Sequence, residues 1–218
     1  MSFGLLLKDE LNGYYRSKVM LLLWVGLPLI SIIVFYAQPG GTQTSLSIYT
    51  AIIVSAIGGT LSSVMLAVTI INEKERKVYD LFVIRPIRRW EIVLSKFAAV
   101  FICVVAAGAI AVLFGLAVDA TRLGSIPADL WSQLANSLMV TVGMIGITAS
   151  TSLLIGIASP SILVGVIVVL YGSNSLASLV ILPLIVSNLA PVAGLGIGAA
   201  ITVAMLILAC VYFERKQL

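Results

Sequence analysis

The sequence has no histidine and only two cysteines, and 10% of its 218 residues are charged, against roughly 25% in an average soluble domain. Without histidine the chain lacks the commonest metal ligand and the usual proton relay near neutral pH. Ser/His/Asp and Cys/His constellations are excluded with it. No G-x-x-x-x-G-K-[ST] phosphate loop is present, so the chain does not hydrolyse a nucleotide by that route. Cys103 and Cys210 both fall in apolar stretches. They read as small buried apolar residues rather than as a disulfide or a metal site.

Charge is also absent from three long runs: Val19–Asn72 (54 residues), Phe97–Val118 (22) and Leu130–Phe213 (84). About 20 apolar residues, each rising ~1.5 Å, cross a ~30 Å hydrocarbon core. With 61% apolar residues, the chain therefore belongs to the integral membrane class. The polar remainder is too short for a separate folded domain. A single transmembrane domain over residues 1–218 is expected, all-α, with a polar N-terminal segment at 1–18 and a charged segment at 72–91. The first apolar span starts late and lacks a cleavage site, so it is expected to stay as an anchor.

Six spans are expected, at about Val19–Ala37, Leu46–Ile71, Ile92–Val118, Ser132–Ile157, from Ile162 onward, and Val192–Phe213. The breakers are Gln38–Gln43, Ser159-Pro160-Ser161, Gly172–Ser175, Pro183 and Pro191. With six spans, 12 of the 13 basic residues fall on one side of the membrane and only Arg122 on the other. The positive-inside rule makes that side cytoplasmic and puts both termini there. It also accounts for the net charge of +4 without nucleic acid as a partner. A seventh span would move Arg215 and Lys216 outside. The apolar, proline-bearing stretch Leu176–Pro191 is expected to form a short re-entrant or interfacial element before span six.

Phe3–Arg16 has an apolar stripe and a charged face. It reads as an amphipathic helix lying on the membrane surface, or as an ordinary flank of span one. Lys96, near the inner end of span three, is expected to snorkel to the interface. Otherwise the spans lack ionisable groups, which argues against a proton- or ion-coupled carrier. Thr148 and Ser152 in span four, and Ser173 and Asn174 in span five, are the residues a polar route would use. The same residue types also serve close helix packing, as do Gly194 and Gly198 in span six.

The charged segment runs Asn72-Glu73-Lys74-Glu75-Arg76-Lys77-Val78-Tyr79-Asp80-Leu81-Phe82-Val83-Ile84-Arg85-Pro86-Ile87-Arg88-Arg89-Trp90-Glu91. Residues Glu73–Ile84 can continue helically beyond span two, Pro86 biases Arg85 away from helical geometry, and a new helix can start near Arg88. A plain cytoplasmic loop that sets topology is the other reading. This pattern, with Leu94-Ser95-Lys96 after it, resembles the membrane (permease) subunits of type 2 ABC exporters. That family typically shows an acidic-basic cluster, a Leu-containing segment, a Pro followed by a basic or small residue, and a Lys at the start of span three. The departure is Val78, where the family often has Gly.

The resemblance implies a half-transporter in the cell (inner) membrane of a prokaryote. Two such chains, identical or similar, would form the pathway, and soluble ATPase subunits carrying ATP and Mg would dock beneath. The chain itself would then be no enzyme and hold no cofactor. Residues 72–91 would be the coupling helix, with Glu73, Glu75, Asp80, Leu81 and Phe82 touching the ATPase and Pro86 marking the break. Arg85, Arg88 and Arg89 would pair with acidic groups on the partner or with anionic lipid. Three other functions stay open: a haem-exporter-type membrane subunit of cytochrome c maturation, a membrane scaffold or regulatory subunit without transport, and a secondary carrier.

Overall fold

The computed structural model of the chain describes residues 3–15, 17–37, 46–76, 89–123, 130–186 and 191–215. They form seven helices: α1 (Phe3–Tyr15), α2 (Lys18–Ala37), α3 (Leu46–Glu75), α4 (Arg89–Leu123), α5 (Leu130–Ala158), α6 (Ile162–Val186) and α7 (Pro191–Arg215). Five of them contain stretches long and apolar enough to cross a membrane: Ile52–Glu75, Trp90–Gly115, Ala135–Ala158, Ile162–Val180 and Gly194–Arg215. That is the build of a multi-pass membrane protein. The apolar stretch assigned within α2, Lys18–Ile30, is shorter.

Local chemistry sets the corners. Between α1 and α2 the Ser17 N–H donates to the Tyr14 carbonyl at 3.0 Å, and the Ser17 carbonyl accepts from Leu21 N–H at 3.1 Å. Ser17 thus closes one helix and caps the next. At the α5–α6 corner, Ser159 N–H donates to the Ile155 carbonyl at 2.8 Å and the Ser161 carbonyl accepts from Gly165 N–H at 3.0 Å. Pro160 between them has no N–H to place.

One expected break does not occur. α6 runs unbroken from Ile162 to Val186 through Gly172–Ser175 and Pro183, so residues 176–186 continue a helix rather than form a separate re-entrant element. Residues 187–190 of that stretch lie outside the described residues. The hydroxyls of Ser173, Ser175 and Ser178 donate to the carbonyls of Val169, Tyr171 and Asn174, four residues back. In apolar surroundings that internal bond satisfies the groups that in water would favour a turn.

α5 is the central helix, packed against α3, α4, α6 and α7. Its contact with α3 is the most extensive in the molecule and keeps one register. Ser55 meets Met144, Gly59 meets Thr148 and Ala67 meets Gly156. Each pair is separated by the same 89 positions, so the two helices run parallel, and the register puts Ser63 level with Ser152. Every fourth residue of α3 along this line is small, which lets the backbones approach closely. On the far side of α5, a methyl group on Gly198 of α7 would lie 3.4 Å from the Gly143 Cα. Gly198 is thus used within the chain. Large apolar side chains on the outer faces of α2, α6 and α7, such as Leu22, Leu163 and Ile207, are exposed. They suit contact with lipid.

Candidate functional site

Charged side chains of α1, α3 and α4 meet where α3 ends and α4 begins, on either side of the charged segment. Lys96 lies seven residues after the start of α4, on the face that also carries Ile92, Val93 and Val100, all buried. Its side chain is only 5% exposed. Its ammonium is turned into the protein and not out to solvent. Its ammonium donates to Glu10 Oε1 of α1 and to Glu73 Oε1 of α3, both at 2.7 Å. These short charge-assisted bonds satisfy the ammonium inside the protein. One side chain thereby ties three helices together.

The N-terminal helix is placed to reach it. Leu7, Glu10, Leu11 and Tyr14 fall at helical spacing on a single face. Tyr14 is buried, and Leu7 and Leu11 pack on the same core as Val93 and Phe97. The apolar stripe of α1 is therefore covered by α4, its main neighbour. Lys8, Asp9 and Asn12 point outward. The amphipathic helix expected from the sequence is present, and its apolar face packs on the bundle.

The Tyr14 phenol is part of the same cluster. Its oxygen is buried beside the Thr69 hydroxyl, which donates to the Met65 carbonyl at 2.8 Å. Burial pushes the Tyr14 pKa up from 10.0 to about 12, against the opposing pull of the Lys96 charge.

Next to Glu73, Lys74 turns the other way. Its ammonium donates to the Ser159 carbonyl at 3.2 Å, at the α5–α6 corner. A cation there meets the negative end of the α5 dipole. The last turn of α3 is thus held on one side by Lys96 and on the other by Ser159.

Of the residues assigned to coupling, Glu73 joins this cluster, while Glu75 is exposed at the end of α3. Arg89 begins α4. Asp80, Leu81, Phe82, Arg85, Pro86 and Arg88 lie outside the described residues, as does the proposed helix–break–helix they would form.

Three of the four residues suggested for a polar route are satisfied locally. Thr148, Ser152 and Ser173 are fully buried. Their hydroxyls donate to the carbonyls of Ile145, Ala149 and Val169 in their own helices. Thr148 packs directly on Gly59. Asn174 keeps a buried Oδ1 without a hydrogen-bond partner. Within one chain, then, the three hydroxyls face neighbouring helices and not open space.

Sequence reasoning missed Glu10 and Tyr14. The available signal was Glu10 standing inside the apolar stripe of α1, where a carboxylate needs a partner. No protein-family model, curated protein or solved structure matches the chain.

Proposed function

We propose that this chain is the permease subunit of an ATP-driven exporter, one half of a membrane pathway worked by a separate soluble ATPase. The observation that carries this reading is the Glu10–Lys96–Glu73 cluster at the mouth of the charged segment. A segment that receives force must be joined stiffly to the helices it moves. Here α3 and α4, which lead into and out of residues 77–88, are linked through Lys96, and α1 is joined to the same point. The Lys74–Ser159 bond extends the connection to the α5–α6 corner. The resemblance of residues 72–91 to the coupling segment of type 2 ABC exporters supports the same assignment. In this reading six helices cross the membrane, α2 included, with both termini and the coupling helix in the cytoplasm of a prokaryotic cell.

The partner would contact Glu75, Asp80, Leu81 and Phe82, and Arg85, Arg88 and Arg89 would meet acidic groups or anionic headgroups. The test is co-purification with a soluble phosphate-loop ATPase encoded beside this chain, in wild type and in a variant carrying Leu81→Asp and Phe82→Asp. Charged residues in an apolar docking face should abolish complex formation and the stimulated ATPase activity. An unchanged complex with unchanged stimulation rules out the coupling role. The topology has its own check. Cysteines placed at residues 76 and 216 should label from the same side of the membrane.

A further inference from the structure

The Lys96 ammonium is shared between two acids. Glu10 and Glu73 each place an oxygen 2.7 Å from it, so the carboxylates stand within twice that distance of each other. The Lys96 side chain is 5% exposed, and screening at such a site is weak. Each carboxylate is therefore drawn to the ammonium and repelled by the other. The two acids are not equally anchored. Glu73 sits on α3, which is fixed independently by the Lys74–Ser159 bond and by close packing on α5. Glu10 sits on α1, a 13-residue helix that meets α4 along one face and α2 only slightly. Of the elements tied at Lys96, α1 is the one that can leave without dismantling the bundle.

We propose that Glu10 and Glu73 compete for Lys96, so that the position of Glu73 sets how firmly α1 is docked. With Glu73 on Lys96, part of the attraction for Glu10 is offset. When the end of α3 turns and withdraws Glu73, the ammonium belongs to Glu10 alone and α1 is held more tightly. The coupling is reciprocal: release of α1 strengthens the hold of Lys96 on Glu73 and steadies the end of α3. The chain thus carries a readout of its charged segment in its own N-terminal helix. This rests on the permease reading only for what moves Glu73, a partner acting on the residues that follow it; the competition belongs to this chain alone.

The experiment is hydrogen–deuterium exchange of the α1 amides in lipid nanodiscs, without any partner, for wild type, Glu10→Gln, Glu73→Gln and the double variant. Glutamine keeps the shape and an acceptor oxygen while removing the charge. Amides of α5 serve as the reference for an intact fold. Loss of the charge-assisted bond in Glu10→Gln should speed α1 exchange about tenfold or more. Glu73→Gln should slow it severalfold, and the double variant should exchange faster than wild type. The proposal is overturned if Glu73→Gln speeds α1 exchange or leaves it unchanged, since Glu73 would then be a supporting member of a clamp and not a competitor. It is equally overturned if Glu10→Gln leaves α1 unchanged while α5 stays protected. Should Glu10→Gln open α5 as well, the sign of the Glu73→Gln effect still decides. A chain that shows the opposite signs yet binds no ATPase keeps the competition and loses the permease reading.

Discussion

Gly59 of α3 lies so close to Thr148 of α5 that a methyl group on Gly59 would sit 2.9 Å from Thr148 Oγ1 and 3.3 Å from its Cγ2. Gly59→Ala should therefore lower stability by about 1–3 kcal/mol, the usual cost of overpacking. The obstruction is a side chain, so adding Thr148→Ala should recover most of that loss. Thermal unfolding of the two variants in detergent micelles or nanodiscs checks both statements.

At the other end of the same contact the obstruction is backbone. A methyl group on Gly156 would meet the Ala67 Cα at 3.1 Å and its carbonyl oxygen at 3.4 Å. Gly156→Ala should be more damaging than Gly59→Ala, and Ala67→Gly should not rescue it. Gly26 and Gly196 have nothing within 4 Å of the corresponding position. Alanine at either site should be neutral or stabilise by about 0.4–1 kcal/mol through reduced freedom of the unfolded chain. The same unfolding assay ranks all four.

Lys96→Met removes the ammonium that Glu10 and Glu73 share. Removing one partner of a buried ion pair costs about 3–5 kcal/mol. The two carboxylates retain 25% and 23% exposure, so the loss should fall at the low end of that range. It should exceed the loss from Glu10→Gln or Glu73→Gln alone, each of which leaves Lys96 with one acid. Chemical unfolding of the three variants gives the order.

Tyr14 supplies a pH prediction. Its phenol is stable in the neutral form when folded, with a pKa of about 12 against 10.0 for the free group. A raised folded pKa means the contribution is complete below pH 10 and is lost as pH rises from 10 to about 12. By linkage the loss reaches about 2–3 kcal/mol. Docking of α1 should weaken in that window in wild type and not in Tyr14→Phe, followed by exchange of the α1 amides. At neutral pH the Phe variant should lie within about 1 kcal/mol of wild type, since the hydroxyl it removes has Thr69 as its one neighbouring side-chain partner.

The membrane class and most helix boundaries were legible because their causes are local. Apolar runs far longer than a span must be cut into spans, and Pro, Gly and Ser mark where. The expected Val19–Ala37 and the observed Lys18–Ala37 differ by one residue, and Ser159–Ser161 is a corner in both descriptions. The same rule failed at Gly172–Ser175. Whether a serine breaks a helix depends on its surroundings, and here Ser173 bonds back to Val169 within a buried face.

By itself, then, the sequence determined that this protein is helical and membrane-spanning, with ten of its 22 charged residues in one segment, because those properties follow from hydropathy and residue type along the chain. Only the tertiary structure decided which charges meet. Glu10 and Glu73 stand 86 and 23 positions from Lys96, and nothing local selects them over the other acids. The register that sets Gly59 on Thr148 was likewise invisible along the chain, although the spacing of small residues on α3 permitted it. Both depend on the distance of closest approach between helices, which arises only when the bundle packs. That packing turns Lys96 from an isolated charge near a membrane surface into the point where α1, α3 and α4 are joined.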